Sequence, residues 1–346
     1  MRKPRKKSIV IRNFILDNVT AHPKDISLVT LNRFNISRPA VLGHINKLIS
    51  DGLIEADGTT RARYYKLKLL IDDAFSFDLS PDTEEDKVWR HLVRPLLSGT
   101  QDNVMRICEY GMNEMINNAV DHAEGTQARI HVQRSAAEIC FILQDNGIGI
   151  FKKIQRDLPR VSEPRQAILE LSKGKLTTDP SRHTGEGIFF VSRMFDRFII
   201  YSDGLFYSPN ILRDQEILRF QETVEGTGVE MIISTRSERT TKEVFDRYTS
   251  DEDDDYAFSR TDVPVSLARF GSEHLVSRSQ ARRLLDRLSG FKHIELDFSG
   301  IDLIGQAFAD EIFRVFVQNN PEIVISHLNA NADIERMIRR VRSRGL

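Results

Sequence analysis

The chain has 346 residues, with 49 Lys and Arg against 50 Asp and Glu, a net charge of −1 and 40% hydrophobic residues. That length argues against a single domain and for two or three. Cys108 and Cys140 both fall in apolar patterns, which excludes a disulfide framework, and no run reaches the roughly 20 apolar residues of a membrane-spanning helix. The basic start, Met1 to Lys7, lacks the apolar core of a signal peptide, so the reading is a cytosolic protein with no membrane partner.

The charge is unevenly spread. Residues 1–70 hold 14 Lys and Arg against 5 Asp and Glu, a local +9, so the remainder carries −10. Apolar spacing at Ile9, Ile11, Phe14, Ile15 and Val19 predicts a helix over 8–19, with a second over 24–34. Ser37 and Pro39 start a third, which runs to Ser50 and ends at Asp51-Gly52. Strand-like stretches at 53–55 and 63–67 flank Asp57-Gly58-Thr59-Thr60 and suit a hairpin. Three helices and a hairpin in this order resemble a winged helix-turn-helix domain over 1–70. The resemblance implies DNA as a partner. The helix over 38–49 would enter the major groove with Arg38, His44, Asn46 and Lys47, and Arg61 and Arg63 would lie on the wing. The basic tail 2–7 would follow phosphates. Dimerisation or protein contact is the alternative use of such a domain; the basic excess favours DNA.

An acidic stretch over 71–88 reads as a connector. The pattern at 102–123 is a two-faced helix. Met105, Cys108, Met112, Met115, Ile116, Ala119 and Ala123 share one arc; Glu114, Asn118, Asp121 and His122 share the other. Glu114 and Asn118 are four residues apart, so a carboxylate and a carboxamide stand together. Two strand-like stretches (128–132 and 138–143) lead into Asp145-Asn146-Gly147-Ile148-Gly149. His183-Thr184-Gly185-Glu186-Gly187-Ile188 opens an apolar helix, and Gly226-Thr227-Gly228 leads into a strand over 229–234. A polar helix face, a strand-end carboxylate and glycine turns point to a nucleotide site.

These motifs, in this order, resemble the GHKL ATPases. Glu114, Asn118 and Ala119 resemble the N box; Asp145, Gly147 and Gly149 the G1 box; Gly185, Gly187 and Ile188 the G2 box; Gly226 and Thr227 the late Gly-Thr of the G3 box. The resemblance implies ATP and Mg2+ as cofactors in a domain over 89–247. Asp145 would accept from the adenine amino group, Asn118 would ligate Mg2+, and Glu114 would orient or deprotonate the attacking water or hydroxyl. Gly147 and Gly149 would let the backbone approach the base without a Cβ in the way, Thr227 would belong to the nucleotide site, and Gly185 and Gly187 would offer N–H groups to phosphate. The segment between the glycine motifs would be a lid, with Lys173, Lys175, Arg182 and His183 as candidate phosphate cations. His122 reads as a structural hydrogen-bonding residue at the helix end.

Asp251 to Asp255 is a like-charge run and marks a linker over 248–260. Beyond it, strands over 263–270, 293–298 and 323–327 alternate with helices over 277–288, 306–319 and 332–344, a small α/β layer over 261–346. Asp297-Phe298-Ser299-Gly300 and the helix after it resemble STAS-like domains. Gln306 falls near the position where the anti-sigma antagonists of that fold carry a phosphorylatable Ser, so the domain reads as a docking module for a protein partner or for a homodimer. The expected fold is multi-domain α+β: a winged helix, a GHKL (Bergerat) α/β sandwich and a small STAS-like α/β domain. The expected function is ATP-controlled regulation through DNA and protein contacts. The alternatives are a protein serine/threonine kinase of the anti-sigma type and a nucleotide-binding scaffold without catalysis in a stress or phage-defence module.

Overall fold

The structure, a computed structural model, describes residues 6–59, 62–176, 185–209, 225–249, 257–269 and 273–343. At the amino terminus, α1 (Lys6–Asn18), α2 (Ile26–Phe34) and α3 (Arg38–Ser50) enclose a small core. Its centre is Ile11, Ile15, Val19, Ile26, Val41, Ile45 and Leu48. Their spacing of three and four residues places them on one face of each helix. Strand β1 (Ile54–Asp57) pairs antiparallel with β2 (Tyr64–Leu67). The Tyr65 N–H donates to the Pro23 carbonyl at 2.8 Å, which ties the hairpin to the α1–α2 connection. Ala136 and Ala137, from a turn in the next domain, complete this core.

The expected connector turns out to be structure. Residues Ile71–Asp78 form β3, the edge strand of a six-stranded sheet, paired antiparallel with β4 (Gln127–Arg134) from Ile71↔Arg134 to Asp78↔Gln127. Its acidic residues face solvent, and only Phe75 and Phe77 lean on the core, so composition disguised an edge strand as a linker. The sheet continues with β5 (Glu138–Asp145), β8 (Gly228–Ser234), β6 (Arg197–Ser202) and β7 (Leu205–Tyr207), every neighbouring pair antiparallel. Helix α5 (Asp102–His122) lies against β5 and β8, beside α8 (Gly187–Met194) and α9 (Thr241–Tyr248). Helix α4 (Glu85–Val88) leads through buried Trp89, Val93 and Leu97 to α5; α6 (Ile150–Asp157) and α7 (Pro164–Lys173) follow β5.

The C-terminal layer begins earlier than its sequence pattern indicated. Strand β9 spans Arg260–Pro264 and passes into a 3₁₀ turn, Val265–Ala268. Helix α10 (Arg278–Leu285) starts at a capping box, Ser277 with Gln280, and leads to β10 (His293–Asp297). Helix α11 (Gln306–Asp310) runs through a π-helical stretch (Glu311–Phe316) into α12 (Val317–Asn319). Strand β11 (Val324–Leu328) and α13 (Ala332–Arg342) complete the layer. The strand order is β11-β10-β9, all parallel.

The expected linker over 248–260 also changes character at its ends. Thr249 bridges Phe258, and Phe258 is buried with its ring 4.5 Å from Phe189, 5.1 Å from Phe190 and 5.0 Å from Phe291. The acidic run 251–255 lies outside the described residues. Phe258 therefore joins the central sheet's helices to the C-terminal layer, and one hydrophobic core runs from Trp89 to Val341. Truncating Phe258 to Ala is expected to cost about 3–5 kcal/mol. Scanning calorimetry should show central and C-terminal domains still melting together; two separated transitions in the wild type would contradict a common core.

Candidate nucleotide site

Strand alternation explains where the carboxylate of Asp145 points. Ile139, Phe141 and Leu143 are buried at every second position of β5, and Asp145 is the next in that series. Its side chain is thus delivered to the helix-covered face. Helix α5 meets that face through Val104, Cys108, Met112, Met115 and Ile116, which fixes its rotation and turns Glu114 and Asn118 toward the end of β5.

Glu114, Asn118, Asp145, Gly185, Gly187 and Thr227 all line one cleft. Met115, Ala119, Leu143, Ile150, Leu171, Leu176 and Ile188 supply its apolar walls. Buried apolar walls with a few convergent polar groups are the usual make-up of a small-molecule site. His122, read from sequence as structural, also lines it. Lys153 reaches the wall as well, with its ammonium bound to Glu124 at 2.8 Å.

Asp145 is held on one side only by backbone. Its Oδ1 accepts from the N–H groups of Gly147 (2.9 Å) and Thr227 (3.1 Å), and its own N–H donates to the Thr227 carbonyl at 3.0 Å. Burial pushes the Asp145 carboxyl above its ordinary value, and the two backbone N–H groups work against that rise. Thr227 also accepts, through Oγ1, the N–H of Ile150 at the start of α6 (2.9 Å). One threonine thus ties three elements around the carboxylate. Asn146 is structural: its Oδ1 accepts from Thr126 and Gln127 at 2.8 and 2.9 Å, locking the end of β5 to the start of β4.

The glycines divide into two kinds. Gly187 and Gly185 line the cleft, whereas Gly147 and Gly149 serve its frame. A Cβ on Gly187 would collide with Oε2 of Glu114, so the carboxylate rests directly over the start of α8. A Cβ on Gly147 would collide with the Ala123 carbonyl, where the turn passes beneath the end of α5. Gly149 (φ +87°) turns the chain into α6.

Glu114 is hydrogen-bonded by Tyr110, one turn earlier on α5. Burial first, then the negative charges of Glu114 and Glu186, push the phenol above its ordinary value. Tyr110 is wedged edge-on against Phe245, with ring centroids 5.5 Å apart. Sequence reading missed this residue; its place four positions before Glu114 is the signal that would have found it. Asn118 keeps a buried amide nitrogen, Nδ2, with no partner. An orphaned polar atom facing a cleft fits a side chain that awaits a ligand. Among the described residues no cluster of three or more His, Cys, Asp or Glu offers a metal cage. A hard cation that keeps waters and phosphate oxygens as ligands would be met by the carboxamide oxygen of Asn118, whereas the orphaned nitrogen, a donor, suits a phosphate oxygen.

Two expected lid cations are occupied elsewhere, which corrects the sequence reading. Lys173 is buried, with its ammonium on Glu170 Oε1 (2.6 Å) and on the carbonyls of Arg283 (3.0 Å) and Asp286 (2.9 Å). Lys175 donates to the Gly290 carbonyl at 2.9 Å and sits 4.6 Å from the centre of the Phe291 ring. Both face the C-terminal layer. Arg182 and His183 lie outside the described residues.

Residues 79–205 match the family model of the histidine kinase-like ATPase domain, and residues 280–335 match that of a STAS-like domain of unknown function. The chain carries a histidine kinase-like ATPase domain followed by a STAS-like domain. No match was found among curated proteins. The first match covers the N-box and G1-type residues of the ATPase domain, from Glu114 to Gly149, and runs through Gly185 and Gly187. A domain of this class implies nucleotide binding, typically with Mg2+. The second match omits β9, the strand nearest the ATPase domain.

In the N-terminal domain, Arg38, Asn46 and Lys47 are exposed on α3, and His44 is half-buried. Burial, then the charge of Arg12, lowers the His44 pKa. Lys47 is paired with Asp51 at 2.5 Å, and Arg63 is exposed on the hairpin over Tyr65. Arg61 and residues 2–5 lie outside the described residues. No described helix is long and apolar enough to cross a membrane.

The glycine contacts give a paired expectation. Gly187→Ala meets the movable end of a side chain, so it should leave the melting temperature nearly unchanged while displacing Glu114 and lowering nucleotide affinity. Gly147→Ala meets backbone and should destabilise by about 1–3 kcal/mol in a denaturant titration.

Proposed function

We propose that the cleft binds Mg-ATP and that its occupancy governs what the two flanking domains contact. The observation that carries the reading is the convergence of Asp145, Asn118, Glu114 and Thr227 on one apolar-walled cleft from three separate stretches of sequence, the end of β5, helix α5 and the residue before β8. Asp145 would accept the adenine amino group, since a carboxylate only accepts and the exocyclic amine only donates. Leu143, Ile150, Ile188 and Val229 would cover the ring faces and exclude water. Asn118 would hold Mg2+ through its carboxamide oxygen. Bound there, the ion would neutralise phosphate charge. The N–H groups opening α8, beside Gly185 and Gly187, would meet the phosphates at a helix N-terminus. Glu114, kept in place by Tyr110, would orient the attacking water.

The N-terminal domain is read as a winged helix that contacts DNA, supported by three helices, a hairpin and the local +9 charge of residues 1–70. Arg38, Asn46 and Lys47 on α3 would face the major groove, with Arg63 on the wing. The STAS-like domain is read as the protein-contacting part.

Calorimetric titration with Mg-ATP tests the core of this reading. Wild type should bind, and Asp145→Ala should weaken binding by roughly 10- to 100-fold, the loss of a buried charged hydrogen bond of about 1.5–3 kcal/mol. An unaltered affinity in that variant would remove the adenine assignment. Adding duplex DNA should shift the ATP affinity of wild type, and a salt-dependent DNA affinity should fall for Arg38→Ala.

The raised pKa of Asp145 sets a pH dependence. The ionised carboxylate accepts from adenine, so affinity should be full at neutral pH and lost as pH falls through a value above the ordinary Asp range. Folding stability moves the opposite way: a raised folded pKa contributes stability below the unfolded value that is lost as pH rises. Titrations at stepwise lower pH should show this slope in wild type and a flatter one in Asp145→Asn.

A further inference from the structure

The wall of the cleft formed by Leu171 and Leu176 is built on residues that the STAS-like domain holds. Helix α7 ends at Lys173, whose ammonium is satisfied by two carbonyls at the end of α10 and by Glu170. The Lys173 carbonyl accepts from the Thr261 hydroxyl of β9 at 2.7 Å. Arg287, just past α10, donates to Glu170 Oε2 at 3.3 Å and to the Lys175 carbonyl. Lys175 returns the contact on Gly290. In the last turn of α8, Arg193 forms a two-pronged pair with Asp262 of β9, at 3.1 and 2.8 Å. The Leu176 N–H then donates to the Gly185 carbonyl at 3.2 Å, next to the start of α8.

The geometry therefore holds both the end of α7 and the last turn of α8, the helix whose start lines the cleft, from one neighbouring domain. A buried ammonium with three acceptors has discrete arrangements, because pulling it away leaves an uncompensated charge. The same seam is not packed solid. A groove runs along it beside Val161, Leu169, Arg282 and Arg287, so at the end of α7 the two domains meet mainly through this polar grip, while the ring contacts of Phe258 join them apart from it.

We propose that the STAS-like domain regulates the nucleotide cleft within the same chain, through the grip of Arg287, Thr261 and the α10 carbonyls on the end of α7. This rests on the nucleotide reading of the cleft and adds its regulator. Anything that binds or shifts α10 and the residues up to Gly290 changes nucleotide affinity, and nucleotide changes affinity there by the same factor, since binding couplings are reciprocal. A protein partner of the STAS-like domain would thus act on ATP binding without touching the cleft.

The experiment uses the full chain and three proteins: wild type, Arg287→Ala and the control Arg336→Ala, which alters an exposed ion pair on α13. Mg-ATP affinity is measured by titration, and amide hydrogen exchange is followed with and without Mg-ATP. The expected result is at least about a fivefold change in ATP affinity for Arg287→Ala, and none for Arg336→Ala. Wild type should also gain ATP-dependent protection in the segment 283–290, which lines no part of the cleft. Equal affinities in wild type and folded Arg287→Ala, with no change in exchange over 283–290, overturn the regulation alone. A wild type that binds no nucleotide overturns the nucleotide reading and the regulation with it. If Arg287→Ala fails to fold, the wild-type exchange pattern decides: protection over 283–290 supports the coupling, and its absence overturns it.

Discussion

The rotation of one helix sets everything else in the ATPase domain. Helix α5 spends its apolar side, from Val104 to Ala119, on the sheet, and burial of seven such side chains fixes the helix against turning about its axis. Each fully buried side chain of this size contributes roughly 1.5–3 kcal/mol, so a rotation that exposed even two would cost more than any polar contact it made. Glu114 and Asn118 are carried to the cleft by that constraint rather than by contacts of their own. Tyr110 is carried with them and adds the local bond that holds the carboxylate.

A second constraint comes from the sheet. Alternation along β5 brings Asp145 to the covered face, and Thr227 at the head of β8 binds it from the neighbouring strand. The cleft is thus assembled by a helix stripe and a strand alternation that agree on one location. Its polar groups sit in an environment that raises the carboxylate's pKa and leaves an amide nitrogen unsatisfied. Such a site is costly without a ligand and ready for one that donates a hydrogen bond to the carboxylate and accepts one from the amide nitrogen.

Much of this was legible in the sequence because the periodicities are strong. The two-faced pattern of α5, the strand ending at Asp145 and the glycine turns before α8 and β8 all fall where the spacing put them. What was hidden was hidden for physical reasons. Strand β3 carries Asp72 and Asp73 on an edge that faces solvent, so its composition resembled a linker. Lys173 looked like a free cation because sequence cannot display the α10 carbonyls, more than a hundred residues away, that take it out of solvent. The polar motif residues declared themselves, whereas the part played by Gly147 emerged only once the end of α5 was seen lying over it.

The shared aromatic seam has a bearing on how this molecule can be dissected. A fragment beginning at residue 280, where the family match starts, would discard β9 and leave β10 with a bare hydrogen-bonding edge. It would also uncover the side of Phe291 that Phe258 shields. An open strand beside an uncovered ring invites self-association, so misbehaviour of such a piece would report on the cut and not on the domain.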